Sequence, residues 1–422
     1  MPQRAEIGDL SSRNIVILAD DLSGAADCAI ACAGGRADAL VALEAADLPF
    51  GAGVLGIDLD TRRMPAAEAA QCVSSFMSQD IFTPTLYFKK CDSTLRGHIA
   101  MELAAALRAV GRGKRSVGVF APAYPGMGRT MQDGRSFLHG EALEDSELWR
   151  LGSVEGSKNI AELFNKSELR VSLIKLRDIR GGRLHALLCE HMAGHDVIAC
   201  DAKCDSDLDL IAHAAHEVSG SVDFPLIWVG SGGLAHALGR LAMADRPNFA
   251  PAAGLSKKMD RLMFVVGSFS NVSRRQIDFL VSHRPLNRVE ISSWELLQDY
   301  GNAVLKLRGA LENGRDIALV IAAEAVADLA LGGVLAEAMA RLVVMHAEDI
   351  GGLVVTGGET ARAVLVAFQI KTLRLIEEIE PGIPLAVSHD SRRLPVITKA
   401  GAFGSEAAFL NCHAALKQIP IQ

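Results

Sequence analysis

The stretch VILADDLSGAADCAIACAGG, residues 16–35, joins a continuous apolar run to a helix-like run of small residues. Because the apolar run does not alternate with polar residues, it predicts a strand covered on both faces, as in a parallel sheet. Gly34 and Gly35 follow the helical run, where a left-handed cap readily ends a helix. The stretch therefore predicts a strand and helix joined at Asp20 and Asp21.

Similar apolar runs recur along the chain and end in polar or glycine residues. Several precede Ala- and Leu-rich helical stretches, a pattern typical of an α/β fold with a mostly parallel sheet flanked by helices. The runs lie at 14–20, 54–62, 86–97, 116–126, 195–202, 225–233, 261–270, 316–323, 351–365, 383–388 and 394–404.

The length of the chain predicts two domains. It has 422 residues, of which 50% are hydrophobic, whereas single cores stop growing at roughly 250 to 300 residues. The segment 243–261 interrupts the strand and helix rhythm with prolines, a glycine and a cluster of charges, as linkers do. We therefore expect an N-terminal domain over 1–245 and a C-terminal domain over 246–422, each with its own mostly parallel sheet.

Charge and composition exclude several classes of protein. The formal net charge of -7 argues against nucleic acid or an anionic membrane as a partner of the whole surface. Residues 1–14 lack the apolar segment of a secretory signal, and no apolar run is long enough to span a membrane, so we expect a cytoplasmic protein. The eight cysteines form no CxxC pair and no zinc pattern, which favours reduced thiols.

Charged and hydroxyl side chains follow three apolar runs in the first half: Asp20, Asp21, Asp58, Asp60, Arg62, Lys89, Lys90, Asp92, Ser93, Thr94 and Arg96. Ligands of open α/β sheets bind beyond the carboxyl ends of strands. The cations could bind a carboxylate or phosphate, and the aspartates could accept a proton or hold Mg²⁺. Turn and helix-cap roles are the alternative for each residue alone. Lys89 is expected to be structural, because adjacent strand residues face opposite sides.

Glycine-rich turns follow strands in the second half, at GSFS (267–270), TGGET (356–360) and KAGAFG (399–404). The latter two precede helix-like sequence. Glycine lets the backbone approach a phosphate closely, and the free amides at the start of a helix favour negative charge. These turns predict a site for a polyphosphate.

Two further function classes stay open on the residues alone. The chain contains no GxxxxGK[ST], so it has no P-loop, and no GxGxxG follows the first strand. A NAD-dependent hydroxy-acid dehydrogenase is therefore an alternative that lacks its dinucleotide fingerprint. A non-catalytic sugar-acid sensor is another alternative, but it would have no use for three glycine turns in the second half.

The motifs, in order, resemble those of the four-carbon acid sugar kinases, which phosphorylate D-threonate, D-erythronate or 3-oxo-tetronate with ATP. The resemblance implies an N-terminal sugar-acid domain, a C-terminal nucleotide domain and an active site in the interdomain cleft. The motifs are ADDLSGAAD (19–27), DLDTR (58–62), KKCDSTLRG (89–97), APAYPGMGRT (121–130), GSFSNVSRRQI (267–277), TGGETA (356–361), EPGIP (380–384) and TKAGAFG (398–404).

This resemblance, together with the strand-end residues, gives a set of expected site residues. Asp21 is expected to accept the proton of the terminal hydroxyl, with Asp92 as the alternative, while Asp20 orients its neighbour or helps to hold Mg²⁺. The expected sugar-acid contacts are Asp20, Asp21, Arg62, Lys90, Cys91, Asp92, Ser93 and Arg96, with Arg62 and Lys90 binding the carboxylate. The expected contacts of ATP are Ser268, Ser270, Gly357, Gly358, Glu359, Thr360, Gly401, Ala402, Phe403 and Gly404.

The chain departs from the family pattern at Ser23, Cys91 and Ala402, where threonine, isoleucine and glycine are usual. Ser23 keeps a hydroxyl, so we expect these changes to affect substrate preference more than activity. ATP and Mg²⁺ are the expected cofactors. The residues leave open which four-carbon acid is used, the ligands of Mg²⁺ and the oligomeric state, a homo-oligomer included.

Overall fold

The computed structural model describes residues 14–34, 39–44, 53–79, 86–146, 149, 157–165, 167–243, 261–322 and 331–418. They form two compact units. The first unit contains 14–39 and 53–243, and the second contains 40–44 and 261–418. The predicted boundary between residues 245 and 246 lies outside the described residues.

The strands alternate with helices along most of the chain. The strands are β1 (Ile15–Ala19), β2 (Ala39–Ala42), β3 (Val54–Asp58), β4 (Leu86–Lys90), β5 (Val117–Ala121), β6 (Arg129–Gln132), β7 (Arg135–Leu138), β8 (Glu141–Ala142), β9 (Val171–Ile174), β10 (Val197–Cys200), β11 (Leu226–Gly230), β12 (Leu262–Val266), β13 (Leu286–Ile291), β14 (Asp316–Ile321), β15 (Gly352–Thr356), β16 (Thr372–Glu380), β17 (Ile383–Ser388) and β18 (Pro395–Lys399).

The helices pack against both sheets. They are α1 (Leu22–Ala33), α2 (Ala66–Met77), α3 (Ile99–Gly111), α4 (Ile160–Phe164), α5 (Leu176–Ile179), α6 (Leu184–Gly194), α7 (Asp205–Ser219), α8 (Gly232–Met243), α9 (Asn271–His283), α10 (Ser293–Gln298), α11 (Tyr300–Leu311), α12 (Gly332–Val344), α13 (Gly358–Ala367) and α14 (Ala408–Gln418). Among the described residues, none of these helices is long and apolar enough to cross a membrane.

The sheet of the first unit is parallel and has the order β3-β1-β4-β11-β5-β10-β9. Every residue of β1 is buried, as its continuous apolar run predicts. The chain runs from β1 to β3 on one side and then to β4 on the other. The carboxyl ends of β3 and β4 therefore flank Asp20 and Asp21 at a topological switch point, where α/β proteins bind ligands.

Helix α1 begins directly after β1, which confirms the predicted strand and helix. Asp21 is its N-cap, and Asp21 Oδ1 accepts a hydrogen bond of 3.1 Å from the N–H of Gly24. The helix ends at Gly34 in the left-handed conformation, with φ of 50°. Its small residues let it lie close to β3, since a Cβ on Gly56 would come within 2.9 Å of Ala25 O.

The sheet of the second unit is parallel through β13-β14-β12-β15-β18 and antiparallel through β17-β16-β2. The fold class is confirmed, because parallel strands predominate in both units. The antiparallel edge was not predicted. Its strand β2 pairs with β16, placing Val41 opposite Leu373, and sequence patterns carry no information on pairing between segments so far apart.

Candidate functional site

Six charged residues meet at the carboxyl ends of β1, β3 and β4. We call them the carboxyl-end cluster: Asp20, Asp21, Arg62, Lys90, Asp92 and Arg96. The parallel pairing of β1 with both neighbours brings these positions together. The cluster contains three carboxylates and three cations, so its formal charges sum to zero.

Arg62 joins the two aspartates that follow β1. Its Nε donates to Asp20 Oδ2 at 2.7 Å, and its Nη2 donates to Asp20 Oδ1 at 3.1 Å. Its Nη1 donates to Asp21 Oδ2 at 2.8 Å. A planar guanidinium can satisfy both carboxylates at once, which a lysine ammonium could not do with the same geometry.

Lys90 contacts the same two carboxylates from β4. Its Nζ lies 3.0 Å from Asp20 Oδ1 and 2.6 Å from Asp21 Oδ1. Gly24 provides the space for this side chain, because a Cβ there would come within 2.0 Å of Lys90 Cε. The glycine in the motif ADDLSGAAD is thus required by the position of Lys90.

Asp92 and Arg96 form a second pair beside the first. Arg96 Nε donates to Asp92 Oδ2 at 2.7 Å, and its Nη2 donates to Asp92 Oδ1 at 2.9 Å. The hydroxyl of Thr94 also donates to Asp92 Oδ2. Arg62 Nη2 lies 3.9 Å from Asp92 Oδ1, so Arg62 links the two pairs into one network.

Asp20, Asp92 and Lys90 stay ionised at neutral pH. Burial by itself raises the pKa of Asp20, but the charges of Arg62 and Lys90 outweigh burial and hold that pKa well below its usual value. Burial likewise opposes ionisation of Asp92, and Arg96 and Arg62 hold its pKa well below the usual value. The same pairing raises the pKa of Lys90 above its usual value despite burial.

Exposure separates the members of the cluster by what they can touch. The Asp21 side chain is 19% exposed and that of Asp20 only 6%. Among the cations, Arg96 is 29% exposed and Lys90 only 7%. Both oxygens of Asp20 accept hydrogen bonds from Arg62, which favours an orienting role for Asp20 over the binding of Mg²⁺.

Besides Thr94, three residues of the KKCDST segment lie outside the cluster. Lys89 faces the other side of the sheet and its Nζ lies 2.7 Å from Glu102 Oε2, as its expected structural role requires. Cys91 is buried, and burial raises the pKa of its thiol to about 12, so the sulfur stays protonated. Ser93 is half-buried in the turn after β4.

The three glycine turns of the second unit follow β12, β15 and β18, which are neighbours in that order in the sheet. They bring together the expected ATP contacts: Ser268, Ser270, Gly357, Gly358, Glu359, Thr360, Gly401, Ala402, Phe403 and Gly404. The turns approach one another so closely that there is no room for a side chain at Gly267 or Gly401. A Cβ on Gly267 would lie 2.0 Å from Thr360 Oγ1, and one on Gly401 would lie 2.1 Å from Ser268 Oγ.

Two helices begin at these turns. Helix α9 starts after Ser270, whose Oγ accepts a hydrogen bond from the N–H of Val272 at 3.2 Å. This helix follows GSFS directly, although helix-like sequence was expected only after the later turns. Helix α13 starts after Gly357, whose φ of 95° favours glycine. Amides at the start of both helices fit the negative charge of a phosphate chain.

Three side chains whose role was not predicted from the sequence organise the third turn. The Nζ of Lys399 donates to the carbonyl groups of Ala400, Gly401 and Phe403. Ser273 Oγ donates to Gly401 O at 2.7 Å, and Gln276 Nε2 donates to Phe403 O at 3.0 Å. The signal for Lys399 was a cation closing the apolar run LPVIT.

Comparison with protein families matches both halves of the chain. The sugar-binding N-terminal domain family matches residues 15–238. The nucleotide-binding C-terminal domain family matches residues 263–409.

Curated relatives match over almost the whole chain. A D-threonate kinase of Cupriavidus necator is 37% identical over 96% of this chain and 98% of its own length. A D-threonate kinase of Salmonella typhimurium is 32% identical over 93% and 96%. A D-erythronate kinase of Heliobacterium modesticaldum is 27% identical over 94% and 96%.

Solved structures match the fold. A Salmonella typhimurium protein covers 95% of this chain and 99% of its own, with a TM-score of 0.78 and 20% identity. A Haemophilus influenzae protein covers 95% and 100%, with a TM-score of 0.69 and 19% identity. At these identities the likeness concerns the fold alone.

Proposed function

Because this chain belongs to the family of four-carbon acid sugar kinases, we propose that it transfers the γ-phosphoryl group of ATP to the terminal hydroxyl of a four-carbon sugar acid. D-Threonate is the first candidate substrate, since the relatives at 37% and 32% identity are D-threonate kinases. Family membership decides against the dehydrogenase and the sensor. The structural observation that carries the proposal is the carboxyl-end cluster at the switch point of the first sheet.

Arg62 and Arg96 are proposed to bind the carboxylate of the sugar acid. Each guanidinium is partly exposed, with 17% and 29% of the side chain accessible, and hydrogen bonds from a guanidinium to a carboxylate are strengthened by the opposite charges. Lys90 is more deeply buried between Asp20 and Asp21. Its proposed role is to hold these two aspartates in place while they contact the hydroxyl groups of the substrate.

Asp21 is proposed to accept the proton of the attacking hydroxyl. The oxygen of the sugar acid forms a bond to the γ-phosphorus, the bond from that phosphorus to the bridging oxygen of ADP breaks, and the hydroxyl proton passes to Asp21. Phosphoryl transfer depends mainly on positioning and charge stabilisation, so a weakly basic carboxylate suffices. Asp21 is favoured over Asp92 because its side chain is more exposed, 19% against 10%.

The three glycine turns of the second unit are proposed to hold the phosphates of ATP. The absence of side chains at Gly267 and Gly401 keeps backbone amides accessible, and the starts of α9 and α13 add favourable dipoles. ATP is proposed to bind as its magnesium complex, in which the metal neutralises charge that develops on the phosphate oxygens. Transfer also requires the nucleotide and the sugar acid to meet, as the family architecture implies.

A substrate screen tests the proposal. Purified protein with ATP and Mg²⁺ is offered D-threonate, D-erythronate, 3-oxo-tetronate and L-threonate in separate reactions, and ADP release is followed. We expect D-threonate to give the highest kcat/KM of the acids offered. We expect no ADP release without an acid. If ADP formed at the same rate with and without every acid, the protein would be a nucleotide hydrolase and the proposal would fail.

A further inference from the structure

Lys399 is a fully buried cation at the end of β18. Its Nζ lies 3.1 Å from Ala400 O, 3.1 Å from Gly401 O and 3.0 Å from Phe403 O. An ammonium group has three N–H donors and no acceptor. The three carbonyl groups of the third glycine turn thus match the three donors of one charged side chain.

The neighbouring side chains give this ammonium little compensating charge. The Phe409 ring lies below it, with its centroid 5.3 Å from Nζ, and Ser273 Oγ is 3.5 Å away. Burial lowers the pKa of Lys399 to about 7, while Cys412 and Glu380 act to raise it. The thiol of Cys412 is itself protonated, because burial raises its pKa to about 12.

The carboxylate of Glu380 is engaged at the far end of the same turn. Its Oε2 accepts from the N–H of Ser405 at 2.7 Å, and its Oε1 accepts from Asn411 Nδ2 at 2.7 Å. Glu380 and Lys399 therefore hold the two ends of one segment by backbone groups of opposite polarity.

Carbonyl groups drawn towards Lys399 leave the amides of the turn free for a ligand. Within the described residues, the N–H groups of Gly401 and Ala402 form no hydrogen bond. A neutral amine has only two N–H donors, and its lone pair repels a third carbonyl oxygen. Loss of the proton from Lys399 must therefore break at least one of its three bonds to the turn.

We infer that Lys399 is a positioning residue whose ammonium group holds the 400–403 turn with its N–H groups available to nucleotide phosphate. The inference rests on the proposed nucleotide site of the second unit. It assigns a protonation requirement to nucleotide binding that is separate from proton transfer at Asp21. A bound phosphate anion also raises the pKa of Lys399, so the affinity for nucleotide falls as the pH rises past 7.

Calorimetric titration of ADP with saturating Mg²⁺, at pH 7.0 and 8.5 and without sugar acid, tests this inference. The phosphate groups change little in charge over that interval, because their second pKa lies near about 6. We expect the wild-type Kd to increase about fourfold, the ratio that a pKa of about 7 gives between these two pH values when binding raises it by about one unit.

Two variants assign the effect to Lys399. Lys399→Met is expected to bind ADP at least about tenfold more weakly at pH 7.0, with the same Kd at both pH values. Gln276→Leu removes a neutral donor to the same turn, so it is expected to weaken binding while keeping the wild-type pH ratio. Thermal unfolding establishes whether each variant is folded. If Lys399→Met does not fold, the pH dependence of the Kd in the wild type and in Gln276→Leu tests the inference.

Equal wild-type Kd values at both pH values would overturn the inference, as would wild-type affinity and pH ratio in Lys399→Met. The outcome is independent of phosphoryl transfer, because no acceptor is present. Phosphorylation of a sugar acid by a protein with pH-independent ADP binding would reject the role of Lys399 alone. The expected pH ratio in a protein that phosphorylates no sugar acid would support Lys399 and reject the kinase proposal.

Discussion

Lys89 and Lys90 are consecutive residues of β4 whose ammonium groups lie on opposite sides of the sheet and bind different carboxylates. Lys89 pairs with Glu102 of α3 at 2.7 Å, and both side chains are buried. Lys90 pairs with Asp20 at 3.0 Å in the carboxyl-end cluster. The alternation of side chains along a strand thus separates a structural ion pair from a proposed substrate site within two residues.

Methionine substitutions of the two lysines are expected to affect different properties, stability for Lys89 and activity for Lys90. Lys89→Met leaves Glu102 buried without its cation, so we expect a loss of about 3–5 kcal/mol in the free energy of unfolding with kcat retained. Lys90→Met disturbs Asp20 and Asp21, so we expect kcat/KM for the sugar acid to fall about 100-fold or more. Urea unfolding and initial rates at 20 °C or below, where Lys89→Met is still folded, measure both effects.

The double variant Lys89→Met/Glu102→Leu is the matched control, because it removes both charges of the buried ion pair. We expect it to recover most of the stability lost in Lys89→Met. A Lys90→Met protein that phosphorylates the sugar acid at the wild-type rate would show that the cluster is not the substrate site.

Asp21→Asn tests the proposed proton acceptor. Asparagine is as good an N-cap as aspartate, so α1 is preserved while the proton acceptor is lost. We expect kcat to fall about 100-fold or more, with KM for ATP unchanged, in steady-state assays. Asp133→Asn is the control, since Asp133 pairs with Lys175 on an exposed turn. A near-normal kcat in Asp21→Asn would transfer the role of base to another group.

Stability in acid depends on the carboxyl-end cluster. The folded-state pKa values of Asp20 and Asp92 lie well below 3.8, so the stability that their ionisation contributes is present above pH 3.8 and is lost as the pH falls below it. We expect the urea midpoint to drop between pH 5 and 3. Arg62→Met should show a smaller drop, because Asp20 then has one cation fewer.

Arg240→Met is the control for this pH dependence. Arg240 pairs with Asp209 at 2.7 Å, but both side chains are more than a third exposed, and exposed ion pairs contribute little to stability. Its drop between pH 5 and 3 should equal that of the wild type. An equal drop in Arg62→Met would show that Asp20 is not the group responsible.

Much of the first site follows from local sequence, whereas its internal pairing does not. The apolar run of β1 and the N-cap at Asp21 are readable from consecutive residues, and they place the two aspartates at a strand end. The sheet order places Arg62 and Lys90 on either side of them. That order depends on pairing between segments 40 to 70 residues apart. Local sequence patterns do not predict such pairing.

In the second unit, too, local sequence predicts the turns but not the pairing of distant strands. Its glycine turns are evident in the sequence because only glycine permits the close approach seen at Gly267 and Gly401. The pairing of β2 with β16 is not evident, since β2 has only four residues and β16 is distant from it in sequence. The role of Lys399 was not predicted, because lysine side chains at the ends of strands are mostly exposed.

Two glycine substitutions should separate binding of the two substrates. In Gly24→Ala, the new methyl group meets Lys90 Cε at 2.0 Å, so we expect kcat/KM for the sugar acid to fall at least about tenfold while the Kd for ADP is unchanged. In Gly401→Ala, the methyl group meets Ser268 Oγ at 2.1 Å. We expect the Kd for ADP to rise at least about tenfold there, as measured by calorimetry.

Matched alanine controls exist in both units. Gly194 of α6 and Gly309 of α11 have open space where a Cβ would be placed, so Gly194→Ala and Gly309→Ala should leave both parameters at wild-type values. If Gly24→Ala changed the Kd for ADP as strongly as Gly401→Ala does, the assignment of one substrate to each unit would be wrong.

The position of the new phosphate on the product tests the central claim most directly. Wild-type protein is incubated with ATP, Mg²⁺ and D-threonate, and the product is analysed by phosphorus NMR with proton coupling. The account predicts a phosphate monoester coupled to the two hydrogens of the terminal carbon, formed in equal amount with ADP. A phosphate coupled to a single hydrogen, or no phosphorylated product from D-threonate, D-erythronate or 3-oxo-tetronate, would contradict it.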